Sequence, residues 1–388
     1  MKHPIGIGLI GSGGRLRGVV KNLIEAGQGR IEARAVFDPN PAAVATTREI
    51  FGGGVAVCES EESLFSHPDI SWVFVGSMNN LHRRHIEGAL NAGKNVFAEK
   101  PLATTFEDCL AIRDAVAASG KTFALGLVLR YSRFYQKIRE ILDSGVLGEL
   151  ISFEFNETLG FNHGGYIFGD WRRFWELSGG HALEKCCHDI DLANWFAGSL
   201  PVRIASFGGT NFFVPRNAHL VEDIGPDAKG HPAYRGWEDA TPTTNIVDPF
   251  TGGADIFDNQ VAILEYANGV RATFHTNCNA GLPERRMLFL GTKGALRGNL
   301  VAGTLELGRI GWDAKAEPVF EKALDGHGGG DQIMAQELCR TLIEGAPPYA
   351  SVREGLCSAI TAFAMDDSAR ENRIVDLKPR WEKAGIPV

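Results

Sequence analysis

The sequence predicts an α/β chain in two parts: a parallel sheet wound with helices in the first third, then a domain built on a second, mixed or antiparallel sheet. Three observations carry this. Apolar runs alternate with helical patterns up to about residue 130, strands joined by hairpin chemistry succeed them, and 388 residues at roughly 150 per domain suit two or three domains.

Strands are expected at 5–10, 31–37, 72–75, 95–98 and 122–127, with helices at 15–26, 42–51, 81–91 and 106–118 between them. That alternation is the mark of βαβ units. The boundary is placed near Arg130, giving domains 1–129 and 130–388, with the helix expected at 134–142 able to pack back onto the first. Beyond it, strands at 150–155, 261–266 and 270–276 follow one another, and Asn268-Gly269 between two of them is a strong hairpin signal. The stretch 215–257, rich in Gly, Pro, Asp and Thr, reads as too polar for core, either a surface insertion or a lid or subunit contact. Helices at 332–343 and 352–370 close the chain.

Lys+Arg 39 against Asp+Glu 47 gives a formal charge of −8, which disfavours nucleic acid and anionic membrane surfaces as partners. Hydrophobic residues at 44% and charged residues at 22% place the chain among globular proteins. Seven cysteines, odd in number and without CxxC pairs, fit a reducing cytoplasm. The first residues lack a signal-peptide pattern, and no run approaches the twenty or so apolar residues that span a bilayer.

Gly11-Ser12-Gly13-Gly14-Arg15-Leu16 follows an expected strand and opens an expected helix, where backbone N–H groups and the helix dipole can hold a pyrophosphate. Leu16 replaces the third glycine of GxGxxG, so the motif alone is weak, and a purely structural turn is the alternative. Asp38, ending the next strand, adds a carboxylate suited to the hydroxyls of an adenosine ribose and repellent to a 2′-phosphate. NAD is thus favoured over NADP, although Arg15 could admit some NADP. As alternatives, Asp38 is a turn residue before Pro39.

Ser77, Asn79 and His82 follow the strand at 72–75, and Glu99-Lys100-Pro101 follows that at 95–98, all at the carboxyl edge where open α/β sheets bind ligands. Pro101 disfavours helix at Lys100 and so keeps the lysine at the strand tip. There it can polarise a substrate oxygen and stabilise a developing alkoxide.

Gly11-Ser-Gly-Gly with Asp38, Asn79-Asn-Leu-His82, Ala98-Glu-Lys-Pro-Leu-Ala103, Arg130-Tyr131, Gly291-Thr-Lys-Gly294 and His327-Gly-Gly-Gly-Asp331 together resemble the glucose-fructose oxidoreductase, inositol dehydrogenase and rhizopine catabolism family, Gfo/Idh/MocA. The resemblance implies an N-terminal Rossmann domain and a C-terminal α+β domain with an open, mostly antiparallel sheet facing the cofactor or a neighbouring subunit. It also implies pyridine-nucleotide redox chemistry on a sugar-like substrate and assembly as homodimers or homotetramers.

A helix is expected to start shortly after Gly179-Gly180 and stop near Gly198, with Ser178 as its cap, placing Glu184, His188 and Asp191 along one partly buried stripe. An imidazole is suited to taking a hydroxyl proton near neutral pH. The family resemblance implies an acid and a histidine at this spacing as the acid-base pair, with Glu184 standing where aspartate is usual. Lys185 and Cys186-Cys187 also depart from the common pattern. The adjacent cysteines read as small core residues, and no metal site is expected. Trp171 and Arg172 have family counterparts near cofactor and substrate, and His82 and His85 follow the Asn79 turn where they could touch the cofactor, a helix-capping or surface role being the equal alternative for His85.

The resulting expectation has Lys100, His188 and Glu184 as catalytic residues. Gly11, Gly13, Gly14, Arg15, Leu16, Asp38, Ser77, Asn79, His82, Glu99, Lys100 and Arg172 hold NAD, and Lys100, Arg130, Tyr131, Trp171, Arg172, Glu184, His188 and Asp191 hold a sugar, glycoside or polyol. An NAD-dependent glycosidase working by transient oxidation is the alternative, and a nucleotide-binding sensor is a third.

Overall fold

The structure, a computed structural model, describes residues 3–236, 246–322 and 327–388. These fall into two compact units, one holding the residues up to Tyr131 with Gly330–Ala359, the other most of the remainder.

The first unit runs β1 (Ile5–Ile10), α1 (Gly14–Gly27), β2 (Ile31–Phe37), α2 (Pro41–Phe51), β3 (Ala56–Val57), α3 (Glu61–Phe65), β4 (Trp72–Val75), α4 (His82–Asn91), β5 (Asn95–Ala98), α5 (Phe106–Ser119) and β6 (Phe123–Leu125). Its six strands are all parallel in the order β3-β2-β1-β4-β5-β6. Trp72–Val75 and Val96–Ala98 are buried at every position, as a parallel sheet covered on both faces requires. Local chemistry starts the helices: Asn40 accepts from the Ala42 amide ahead of Pro41, and Thr105 accepts from the Asp108 amide. The short β3 escapes sequence reading, since two residues carry no periodicity.

The second unit contains α6 (Arg133–Asp143), β7 (Leu150–Thr158), α7 (Phe161–Gly169), α8 (Trp175–Ser178), α9 (His181–Glu184), α10 (Cys187–Ala197), β8 (Pro201–Gly209), α11 (Leu220–Ile224), β9 (Asn259–Tyr266), β10 (Arg271–Asn277), β11 (Arg286–Gly291), β12 (Gly294–Asn299), β13 (Thr304–Arg309) and β14 (Glu317–Glu321). After α12 (Gly330–Glu344), which belongs to the first unit, come α13 (Val352–Glu371), β15 (Val375–Asp376) and α14 (Lys378–Lys383).

The nine strands lie in the order β14-β13-β12-β11-β7-β10-β9-β8-β15, and every neighbouring pair is antiparallel except β7 with β10. Residues alternate buried and exposed along β9 and β10, so one face forms core. On it Phe153 stacks on Phe289, Phe289 meets Phe196 of α10 edge-on, and Phe196 reaches Tyr135 of α6. The helix expected at 134–142 therefore packs within the second unit. Asn268-Gly269 lies in the β9–β10 hairpin turn, with Gly269 at φ +85°.

Two expectations are corrected here. The stretch 215–257 is not uniformly polar surface: Ala233, Tyr234, Phe250 and Ile256 join Phe213, Ile167 and Phe168 in a buried cluster. A few aromatics scattered in a polar stretch suffice to bury it; residues 237–245 of it lie outside the described residues. The helix expected between Gly180 and Gly198 is broken at Lys185-Cys186, and Ser178 caps neither piece. Its hydroxyl instead donates to the Phe174 carbonyl and accepts from the Gly180 amide.

Candidate active site

In the first unit, the carboxyl ends of β1, β2, β4 and β5 bring the predicted nucleotide residues to one edge. Gly11 adopts φ +74°, and a Cβ there would fall 2.4 Å from the Ser77 Cα, so only glycine lets the two turns touch. Gly13 precedes α1, and nothing lies within 4 Å of where its Cβ would be. The amides of Gly14, Arg15 and Leu16 open the helix without intrahelical acceptors, while the Leu16 side chain is buried against Gly76. Asp38 accepts the Ser12 amide at 2.7 Å and the Asn40 amide at 2.8 Å, which holds its carboxylate beside the glycine turn.

Arg15 reaches across this edge to Glu99 at 2.9 Å and to Asp331 at 2.6 Å. Asn79 is buried in a 3-10 turn, and His82 places one ring nitrogen 2.8 Å from the Pro101 carbonyl and the other 3.2 Å from that of Ser77. Burial lowers its pKa to about 4, so the ring is neutral. Lys100, half-buried, lies two residues past the end of β5, and its bond to Pro101 is cis. Arg130 and Tyr131 end a 3-10 turn; the Tyr131 ring is buried against Tyr349, and burial raises its pKa.

In the second unit, Asp170 caps a 3-10 turn that presents Trp171 and Arg172. Arg172 donates to Asp170 at 2.9 Å and to Glu184 at 3.1 Å, and its guanidinium stacks over the Tyr166 and Trp171 rings. Burial raises the Asp170 pKa against the pull of Arg172. Because the helix is broken, Glu184 on α9 and His188 on α10 do not share one continuous stripe; His188 and Asp191, three apart on α10, do, and all three are buried.

Buried ion pairs lie at the break, and sequence reasoning missed Glu157, Asp189 and Arg285 among them. Lys185 reaches Glu157 of β7 at 3.4 Å, while Asp189 receives two hydrogen bonds from Arg285, at 2.8 and 2.9 Å, and Arg285 also pairs with Glu157. Burial raises the Glu157 pKa, but Arg285 and Lys185 outweigh it and keep the carboxylate ionised. Burial pushes Asp189 up to about 7, opposed by Arg285 and reinforced by Glu157. Beside the break, His181 lies 2.9 Å from the Thr276 hydroxyl and 3.6 Å from the sulfurs of Cys186 and Cys278, and burial lowers its pKa to about 4. Asp189 next to His188 was the one signal available; nothing local announces Arg285.

The first unit fits a dinucleotide: unsatisfied amides, an open glycine and a fixed carboxylate converge where a pyrophosphate and a ribose are held in such sheets. Comparison with known proteins agrees. Residues 5–127 match the oxidoreductase family's NAD-binding Rossmann fold, and residues 139–377 match its C-terminal alpha/beta domain. A Bacillus subtilis (strain 168) protein described as an oxidoreductase, YteT, is 27% identical over 82% of this chain and 84% of its own. The 2,7-anhydro-N-acetylneuraminate hydratase of Escherichia coli (strain K12) is 26% identical over 64% of this chain and 57% of its own. Levoglucosan dehydrogenase, solved with NADH and levoglucosan, superposes with a TM-score of 0.78 at 19% identity, covering 97% of this chain and all of that one, a likeness of fold. The chain belongs to the Gfo/Idh/MocA oxidoreductase family, with that family's NAD-binding Rossmann domain followed by its C-terminal α/β domain.

Proposed function

We propose that this protein oxidises a secondary hydroxyl of an uncharged sugar, glycoside or polyol, or reduces the corresponding ketone. NAD, when bound, supplies the hydride acceptor. Lys100 donates a hydrogen bond to the substrate oxygen and stabilises the negative charge that develops there. His188 takes the hydroxyl proton, and Glu184, held by Arg172, orients the substrate beside it. Arg130, Tyr131, Trp171 and Asp191 complete the substrate side. The observation that carries the reading is a lysine at the tip of β5 together with a buried histidine on α10, in a chain matched along both domains by an oxidoreductase family. An uncharged substrate is favoured because Arg172 is already committed to two carboxylates and Lys185 to Glu157.

The relative named as a hydratase supports a second reading, elimination or glycoside cleavage through transient oxidation. A panel of polyols, inositols and glycosides incubated with NAD or NADP separates the two. Net NADH from an uncharged polyol supports the dehydrogenase. Release of an aryl glycoside's chromophore without net NADH establishes the second reading, and nucleotide binding with no turnover across the panel contradicts both.

The exposed sheet face carries Phe207 at 72%, Ile263 at 62% and Val261 at 47% exposure, which favours a homodimer or homotetramer assembled there. The seven free thiols favour a reducing, cytoplasmic setting.

A further inference from the structure

Glu61, His85 and Ser77 form a continuous line inside the first unit. The Ser77 hydroxyl lies 2.8 Å from Nδ1 of His85, and Nε2 of His85 faces Oε1 of Glu61 at 3.2 Å, an ion-pair distance without hydrogen-bond geometry. Arg84 binds the other Glu61 oxygen at 2.8 Å, and His85 is only 3% exposed. Ser77 follows β4, whose neighbour β1 is flanked on its other side by β2, so it stands at the point where strand order reverses. Ligands of open α/β sheets bind in the crevice at that point.

The charge of Glu61 beside Nε2 selects the direction of the Ser77–His85 hydrogen bond. A carboxylate paired with arginine only accepts, so the proton of the neutral imidazole sits on Nε2 and Nδ1 becomes an acceptor. The Ser77 hydroxyl must then donate inward to Nδ1, and its remaining lone pairs can only accept. Contact with Gly11 meanwhile fixes its backbone. The same order of groups activates serine in hydrolases; its place at the nucleotide edge assigns it to binding here.

We propose that Glu61 and His85 are positioning residues that make the Ser77 hydroxyl an acceptor for a donor group of the dinucleotide, an amide N–H or a ribose O–H, and unfavourable to a phosphate oxygen. The inference rests on NAD binding by this unit and is independent of the substrate's identity.

Two measurements test it. In protein carrying 15N-labelled histidine, NMR should show His85 protonated at Nε2 and bare at Nδ1; the opposite tautomer overturns the proposal, and no variant is needed. In Glu61→Gln the new amide can donate to Nε2, which moves the proton to Nδ1 and reverses Ser77. The NADH dissociation constant, read by nucleotide fluorescence, should rise about tenfold. Glu61→Gln should have no further effect in a Ser77→Ala background. A change under twofold, or an equal penalty in both backgrounds, overturns it. Failure of the unaltered protein to bind NADH would count instead against the nucleotide site itself. The 3-acetylpyridine analogue, which lacks the carboxamide N–H, separates the two donors: a penalty that vanishes with it assigns the amide, and one that persists assigns the ribose hydroxyl.

Discussion

At the edge of the parallel sheet, Gly11, Asp38, Ser77 and Glu99 are placed by where four strands end, and the contacts between them are largely backbone. Around α9 and α10 the placement depends instead on buried charge, with Arg285 holding Asp189 across 96 positions of sequence and Lys185 holding Glu157. Strand ends are set by local pattern, so the first arrangement survives changes to most side chains and fails only where the backbone itself is constrained. The second is a closed set of two cations and two anions, and fails as a unit when one is removed.

The sharpest way to break that contrast is Arg285→Met, which strands Glu157 and Asp189 together in the interior. We expect a loss of about 3–5 kcal/mol in urea unfolding. The loss should be larger at pH 8 than at pH 5, where the carboxylates can accept protons. A loss under about 1 kcal/mol would show that the set is not what holds this region.

Gly11→Ala attacks the first arrangement at its constrained point. The left-handed backbone and the approach to Ser77 should cost about 1–3 kcal/mol of stability, with NADH affinity falling at least tenfold. Unchanged affinity would mean the turn does not shape the nucleotide site.

Asp366 on α13 sharpens the comparison by isolating a buried acid without an arginine fork. Burial raises its pKa to about 7, with Gln260 and Arg370 opposing. A folded-state pKa above the unfolded one means the folded form holds the proton more tightly. Stability should therefore fall as pH rises from about 4 to 7 and stay reduced above it. Asp366→Asn should flatten that slope and gain on the order of 1–3 kcal/mol at pH 8. A parallel slope in the variant would discount this group.

The smallest effect is expected from Arg83, which bridges Glu87 and Asp108 at the surface of the first unit. Arg83→Ala should change unfolding by under about 1 kcal/mol and less still in high salt. A larger loss would undo the distinction between buried and exposed charge.

These differences explain what the sequence disclosed. Residues 5–10, 31–37, 72–75 and 95–98 appear as strands at the positions expected, because short apolar-rich runs bounded by turn residues mark strands locally. The glycine turn and Asp38 were legible for the same reason. The segment between Gly180 and Gly198 has helical periodicity throughout, yet long-range pairing at Lys185 and Asp189 accompanies a break that periodicity cannot register. Asp170 and Arg285 were likewise invisible, since their roles exist only once Arg172 and Asp189 are brought to them. His85 was noted beside the Asn79 turn, but its link to Glu61 joins α4 to α3 and has no local signature.

The central claim is that Lys100 and His188 do the chemistry, with the glycine turn and Asp38 holding the nucleotide. It is tested most directly by measuring steady-state turnover and NADH affinity in parallel for Lys100→Ala and His188→Ala. Turnover should fall by about two to four orders of magnitude in each, with the dissociation constant for NADH within about twofold of the unaltered protein in His188→Ala. Full turnover in either variant would contradict the account.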